Sequence, residues 1–122
     1  MQKIDFCLIL TATINPGNMP DLIRKDTNMR LDDYKKSFEF WLSNSNVKKI
    51  IFIENSNSDL SFFHELAKKY KDKKIEILSN NLNSDFDKSL GKGYGQYLCL
   101  REVFKNSQLV KNVNYFIDVT GR

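Results

Sequence analysis

The chain has 122 residues, 41% of them hydrophobic and 28% charged, which suits one compact soluble domain and argues against wholesale disorder. No apolar run approaches the ~18 residues that cross a bilayer, and the opening Met1-Gln2-Lys3-Ile4-Asp5 has no basic stretch leading into an apolar one, so neither a membrane span nor a secretory signal is expected. The net charge of +4 rests on fifteen Lys against four Arg, beside thirteen Asn. Arg is the usual bidentate donor to phosphate and guanine, so this balance argues against nucleic acid as a partner and leaves small anionic ligands or a membrane surface open.

Ile4 to Thr13 is a near-continuous apolar run that ends at Asn15-Pro16-Gly17 and predicts a strand buried on both faces. Leu31 to Asn44 follows, with Leu31, Tyr34, Phe38, Trp41 and Leu42 spaced for one helical face, and its aromatic residues read as core. Val47 to Glu54 predicts a second strand, broken by Asn55-Ser56-Asn57-Ser58-Asp59. Leu60, Phe63, Ala67 and Tyr70 then mark a helix with Ser58 or Asp59 as N-cap. Lys74 to Leu78 is a third strand, a helix is expected over about Tyr94 to Ser107, and Asn114 to Val119 is a fourth strand. Cys7 and Cys99 lack metal-ligand spacing and read as free buried thiols in a reducing compartment, with a single disulfide as the alternative.

The order β-α-β-α-β-α-β implies an α/β fold, a mostly parallel sheet flanked by helices. In such sheets ligands bind at the carboxyl ends of the strands, so Thr11 to Asn15, Glu54 to Asp59, Ser79 to Asn81 and Asp118 to Gly121 should share one rim. Glu54 there suits a ribose or base, although Glu54 to Asp59 also makes a good turn and cap without a ligand. Gly91-Lys92-Gly93-Tyr94-Gly95 suggests close backbone approach to a ligand or to the sheet, with Lys92 placed to neutralise a diphosphate. Asp118 and Thr120 leave the last strand on one side, and their hard oxygens suit Mg²⁺ or Mn²⁺. Arg122 is a further phosphate clamp candidate. The lone His64 has no evident nucleophile beside it, so no Ser-His-Asp arrangement is legible.

Assembled, these segments resemble the nucleotide-sugar-binding half of a family 2-like GT-A glycosyltransferase, a Rossmann-like fold used by bacterial enzymes of capsule and surface-polysaccharide synthesis. Leu10-Thr11-Ala12-Thr13-Ile14-Asn15-Pro16 is similar to that family's first strand end, and Ile53-Glu54-Asn55-Ser56-Asn57-Ser58-Asp59 to its V-D-D-G-S-x-D segment. Gly91-Lys92-Gly93 before Asn114-Tyr115-Phe116-Ile117-Asp118-Val119-Thr120 is similar to its glycine-containing helix start and Y-I-x-F-L-D-x-D strand. The resemblance implies a nucleotide site of Thr11, Ala12, Thr13, Asn15, Glu54, Asn55, Ser56, Asp59, Asn80, Gly91, Lys92 and Gly93. It puts Asp118 at the first D-x-D carboxylate, with Thr120 replacing the second.

It further implies a cytoplasmic protein, at the inner face of the membrane in the membrane-associated variant, working on a nucleotide-sugar donor and a glycan or lipid-linked acceptor. The chain reads as a single nucleotide-sugar-binding domain over residues 1–122, the amino-terminal part of a longer GT-A domain. Hexosyl transfer is then expected where an acceptor half is supplied, and the alternative is a non-catalytic, truncated binding or interaction module derived from that fold. A nucleotidyltransferase ranks last, because Asn15 to Arg30 lacks a G-G-x-G-T-R type loop. An open sheet edge is expected to favour homo-oligomers. Alanine at Glu54 or Asp118 is expected to weaken nucleotide binding with the fold intact, since both side chains are placed at a solvent-facing rim.

Overall fold

The computed structural model describes residues 5–17 and 26–120. Four parallel strands, β1 (Phe6–Ala12), β2 (Lys49–Glu54), β3 (Lys74–Ser79) and β4 (Tyr115–Thr120), form one sheet in the order β3-β2-β1-β4. Between them lie helices α1 (Thr27–Leu42), α2 (Ser61–Ala67) and α3 (Lys92–Asn106), with short 3₁₀ turns at Leu82–Ser84, Lys88–Leu90 and Val110–Asn112. The expected alternation and the parallel sheet are both present. Among the described residues no helix is long and apolar enough to cross a membrane.

The two inner strands read as continuous apolar runs because both their faces are covered. Leu8, Leu10 and Ala12 of β1, with Ile50 and Phe52 of β2, meet Tyr34, Phe38 and Leu42 of α1 and Phe63 of α2. The alternate residues Cys7, Ile9, Ile51 and Ile53 meet Cys99 and Val103 of α3 on the opposite face. The chain steps outward from β1 through β2 to β3 with α1 and α2 on one side. It then returns past both inner strands to β4 with α3 on the other side, as right-handed crossovers require. The direction of winding therefore reverses between β1 and β4, and in open α/β sheets that reversal marks the ligand crevice.

Element ends shift for local reasons. Helix α1 begins about a turn before Leu31 because Asp26 caps it, its carboxylate accepting the Met29 N–H at 3.0 Å. Leu60, not Ser58 or Asp59, holds the N-cap position of α2, while Asp59 caps from one residue upstream by accepting the Ser61 N–H and hydroxyl at 2.9 and 2.6 Å. Those hydrogen bonds, the hydroxyl's first, hold the Asp59 carboxyl below its usual range. Helix α3 starts at Lys92 rather than Tyr94.

Cys7 and Cys99 are both free and buried, as expected. Burial, reinforced by nearby carboxylates, pushes each thiol up to about 12. At pH 8 the thiolate fraction is therefore on the order of one in 10⁴. Neither cysteine of the native protein should react with a thiol reagent on the timescale in which both react after unfolding. Rapid labelling of the native chain, followed by mass spectrometry, would contradict this.

Strand β4 is an edge strand whose Tyr115, Phe116 and Ile117 are 62%, 45% and 48% exposed, so apolar surface lies on both of its faces. Exposed apolar edges template pairing with other chains. The expected self-association is checked by light scattering at about tens of micromolar, within the range where such contacts form aggregates; a monomer there would remove it.

Candidate functional site

Three loops leave the carboxyl ends of β1, β2 and β3, and one buried carboxylate organises the first two. Glu54, the last residue of β2, is fully buried. One of its oxygens accepts the Ile14 N–H at 2.8 Å and the Ser56 hydroxyl at 2.5 Å. The other accepts the N–H groups of Ser56 at 2.9 Å and Ser58 at 3.2 Å. Four donors fill the four lone-pair sites of a carboxylate, so Glu54 clamps the loop after β1 to the loop after β2. This corrects the expectation that Glu54 faces a base or ribose from a solvent-facing rim. Its position in sequence is that of a ligand contact, but its acceptor capacity is spent inside the protein.

The neighbours of Glu54 extend the clamp. Asn55 is buried, donates its N–H to the Ala12 carbonyl at 3.1 Å and accepts the Thr13 hydroxyl at 2.7 Å. From the other side, α1 presents Arg30 and Tyr34. The Tyr34 hydroxyl accepts the Thr13 N–H at 3.0 Å, and Arg30 Nε donates to the Thr13 carbonyl at 2.7 Å. Tyr34 is thus a core ring with a working hydroxyl, and Arg30, which sequence reasoning passed over, is a buried loop anchor. The loop after β3 is tied in by Asn80, whose N–H donates to the Glu54 carbonyl at 3.0 Å, and by the buried Asn83. Asn83 donates its N–H to the Asn55 carbonyl at 2.9 Å and its side-chain amide to the carbonyls of Asn15 and Pro16 at 3.4 Å.

The predicted rim therefore exists, but its residues divide into scaffold and surface. Thr11, Ala12, Glu54 and Asn55 are buried, and the Thr13 hydroxyl is committed to Asn55. Asn15, Asp59, Lys92 and Gly93 are exposed, with Ser56 and Asn80 half-buried. Gly121 and Arg122 lie outside the described residues.

The glycine cluster also divides. Gly91 sits at φ 86°, ψ 178°, a conformation open essentially to glycine alone, and begins α3. Gly95 gives the close packing, since a Cβ there would meet the Phe86 ring at 3.3 Å. Gly93 has nothing among the described residues within 4 Å of a Cβ position, so no group there requires it to be glycine. Gly93→Ala is expected to raise stability by about 0.5 kcal/mol and Gly91→Ala to lower it by roughly 1–3 kcal/mol. Equal denaturation midpoints for the two variants would contradict this.

Asp118 lies opposite Ile9, on the α3 side of β4, and Thr120 lies opposite Thr11 on that same side. One Asp118 oxygen accepts the Gln96 amide at 2.8 Å; the other is buried with no partner. Burial raises the carboxyl above its usual value, with the Gln96 hydrogen bond opposing. A raised folded value means that protonation favours the folded state. The stability contributed by this group is full below the unfolded value near 3.8 and is lost as pH rises through the folded one. Asp118→Asn should therefore be at least as stable as the parent at pH 7 and lack this acid-side component. A variant that melts lower at pH 7 would contradict the assignment. Among the described residues, no three His, Cys, Asp or Glu side chains converge on a common point.

Beneath the exposed part of the rim lies a cavity of about 200 Å³, lined by residues of all three loops and by Lys88. Lys88 was not legible in the sequence: it sits in a polar stretch without periodicity, and only the chain's return over the rim brings it to the cavity. Comparison with protein-family models, curated proteins and solved structures gives no match. The functional reading rests on the site itself and on the resemblance of its segments.

Proposed function

We propose that this domain binds a nucleotide-diphosphosugar donor and serves glycosyl transfer in surface-polysaccharide assembly, as a GT-A-like unit. The observation that carries the reading is the reversal of strand order between β1 and β4, which brings Thr11 to Thr13 and Asp118 to Thr120 side by side at the carboxyl edge. The segments that resemble the family 2-like pattern are those that meet there. The donor would lie over the exposed rim of Asn15, Ser56 and Asn80, with Lys92 beside its charge. Glu54, Asn55, Arg30 and Tyr34 hold the backbone beneath it in place.

A divalent cation fits this site only in part. Asp118 offers one unpartnered carboxylate oxygen and Thr120 a hydroxyl on the same side of β4. That set suits Mg²⁺ or Mn²⁺ carrying water and phosphate oxygens rather than an all-protein cage. Such an ion would stabilise charge on the leaving diphosphate.

A second reading, a non-catalytic module of the same ancestry, is favoured by the same feature, because Gln96 occupies one Asp118 oxygen and Thr120 brings no charge. The two readings part on turnover. The first expects donor binding and hydrolysis or transfer of the sugar when metal and acceptor are supplied; the second expects an intact fold that binds a partner without sugar transfer. Asp118→Asn, measured by calorimetric titration, should weaken donor binding at least about tenfold, or 1.4 kcal/mol. Unchanged affinity would remove Asp118 from the site.

A further inference from the structure

Strand β3 is the edge of the sheet opposite β4. At its two ends, Lys74 and Asn80 donate their N–H groups to the carbonyls of Lys48 and Glu54, at 2.9 and 3.0 Å. Successive residues of a strand turn their backbone groups to opposite edges, so Ile75 and Ile77 turn theirs away from β2. Among the described residues nothing pairs with these outward N–H and C=O groups.

Beside that edge, on the α2 side, runs an open groove of about 500 Å³. Its apolar lining is Ile75 and Ile77 with Ala67 and Tyr70, all half-buried and packed against the core. Its charged lining is basic, and among the described residues no carboxylate belongs to it. Lys73 serves the fold, donating to the carbonyls of Asn44 at 2.6 Å and of Val47. Lys68 meets Glu65 at 3.0 Å, but both side chains are 72% exposed, and such bridges contribute little. Lys71 is exposed and has no ion pair or hydrogen bond among the described residues. Residues 65–74 hold five lysines against Glu65 and Asp72.

These features together define an occupant. The unpaired backbone suits an extended chain, whose alternate side chains fall on the groove. The lysines repel a second copy of the same edge and attract carboxylates. We propose that the β3 edge docks an extended acidic peptide of a partner protein, which adds a strand to the sheet. The peptide backbone pairs with Ile75 and Ile77, its apolar residues cover Ile77 and Tyr70, and its flanking carboxylates meet Lys68 and Lys71. None of these residues belongs to the rim, so the proposal stands apart from the donor-binding reading.

The probe is a blocked Val-Thr-Val-Thr-Val peptide with glutamates at both ends, compared with its lysine-ended counterpart. Binding to the full chain is read by fluorescence anisotropy of the labelled peptide and by amide exchange. The glutamate-ended peptide should bind and slow exchange at Ile75 and Ile77. Lysine ends on the peptide, or Lys68→Gln with Lys71→Gln in the protein, should each weaken binding at least about tenfold. Both lysines are exposed, so the double variant should melt with the parent. Methylating the peptide nitrogens at one alternate set of residues should abolish binding, and at the other set should leave it, because only one set faces β3. No binding at about 1 mM, unchanged exchange at Ile75 and Ile77, equal affinity for the two peptides, or tolerance of methylation at both sets overturns the proposal. So does slowed exchange at those two amides on concentrating the chain without peptide, which makes a second copy the occupant.

Discussion

Glu54→Ala is expected to lower the stability of the domain by about 3–5 kcal/mol, a large part of the roughly 5–15 kcal/mol that such domains possess. The substitution strips a partner from the N–H groups of Ile14, Ser56 and Ser58 and from the Ser56 hydroxyl. Each buried donor left unpaired costs on the order of 1–3 kcal/mol, and water entering the space recovers part of it. Glu54→Gln retains the shape but turns an amide N–H₂ toward donors, so it should lose less than alanine and still clearly more than a surface change. Urea denaturation followed by circular dichroism reads both. An alanine variant as stable as the parent would show that the loops after β1 and β2 hold together without the carboxylate. Loss of ligand binding in Glu54→Ala would then follow from loss of the loops, so this variant cannot identify a ligand contact.

Phe52→Ala is the second large effect, at about 3–5 kcal/mol. Phe52 is fully buried in the middle of β2 and stacks on Phe63 of α2, with ring centroids 4.5 Å apart and planes at 20°. It also meets Phe38 of α1 at 5.3 Å and the Tyr34 ring at 6.5 Å. It therefore joins both helices of one layer to the sheet, and three rings around it cannot all move into the space it leaves. Phe52→Leu keeps most of the apolar volume and should lose less than half as much, within the roughly 1.5 kcal/mol typical of near volume-conserving swaps. Because Tyr34 also holds Thr13, the alanine change should loosen the rim, seen as faster amide exchange at Thr13 and Ile14. Protection there equal to the parent's would contradict the coupling.

The fold was legible because its signals are periodic. Ile50 to Ile53 is an unbroken apolar run since α1 and α2 cover one face of β2 and α3 the other. Tyr34, Phe38 and Leu42 repeat at helical spacing because they pack on that strand pair. The location of the rim was legible too, since polar residues cluster where parallel strands end. The division of labour within it was not. Whether an acidic residue at the end of β2 faces a ligand or four of its own donors depends on how loops some 40 residues apart come together. Glu54 meets Ile14 only through the parallel pairing of β1 and β2. Lys88 opens the second of two 3₁₀ turns that irregular backbone joins, and composition alone does not place such a segment. The glycines illustrate the same limit: one sequence cluster holds a backbone need at Gly91, a packing need at Gly95 and neither at Gly93.

The central claim, that this domain holds a nucleotide-diphosphosugar on the rim of its sheet, is tested most directly by thermal unfolding of the purified chain. The ligand panel is UDP-, GDP-, CMP- and dTDP-sugars, each with and without Mn²⁺ or Mg²⁺. A ligand present at a hundredfold excess over its dissociation constant adds about 2.7 kcal/mol, which for a domain of this size raises the midpoint by roughly 10 °C. The account predicts such a rise for one nucleotide in preference to the others, reduced in Asp118→Asn. A folded chain whose midpoint stays unchanged with every nucleotide sugar, with and without metal, would contradict it.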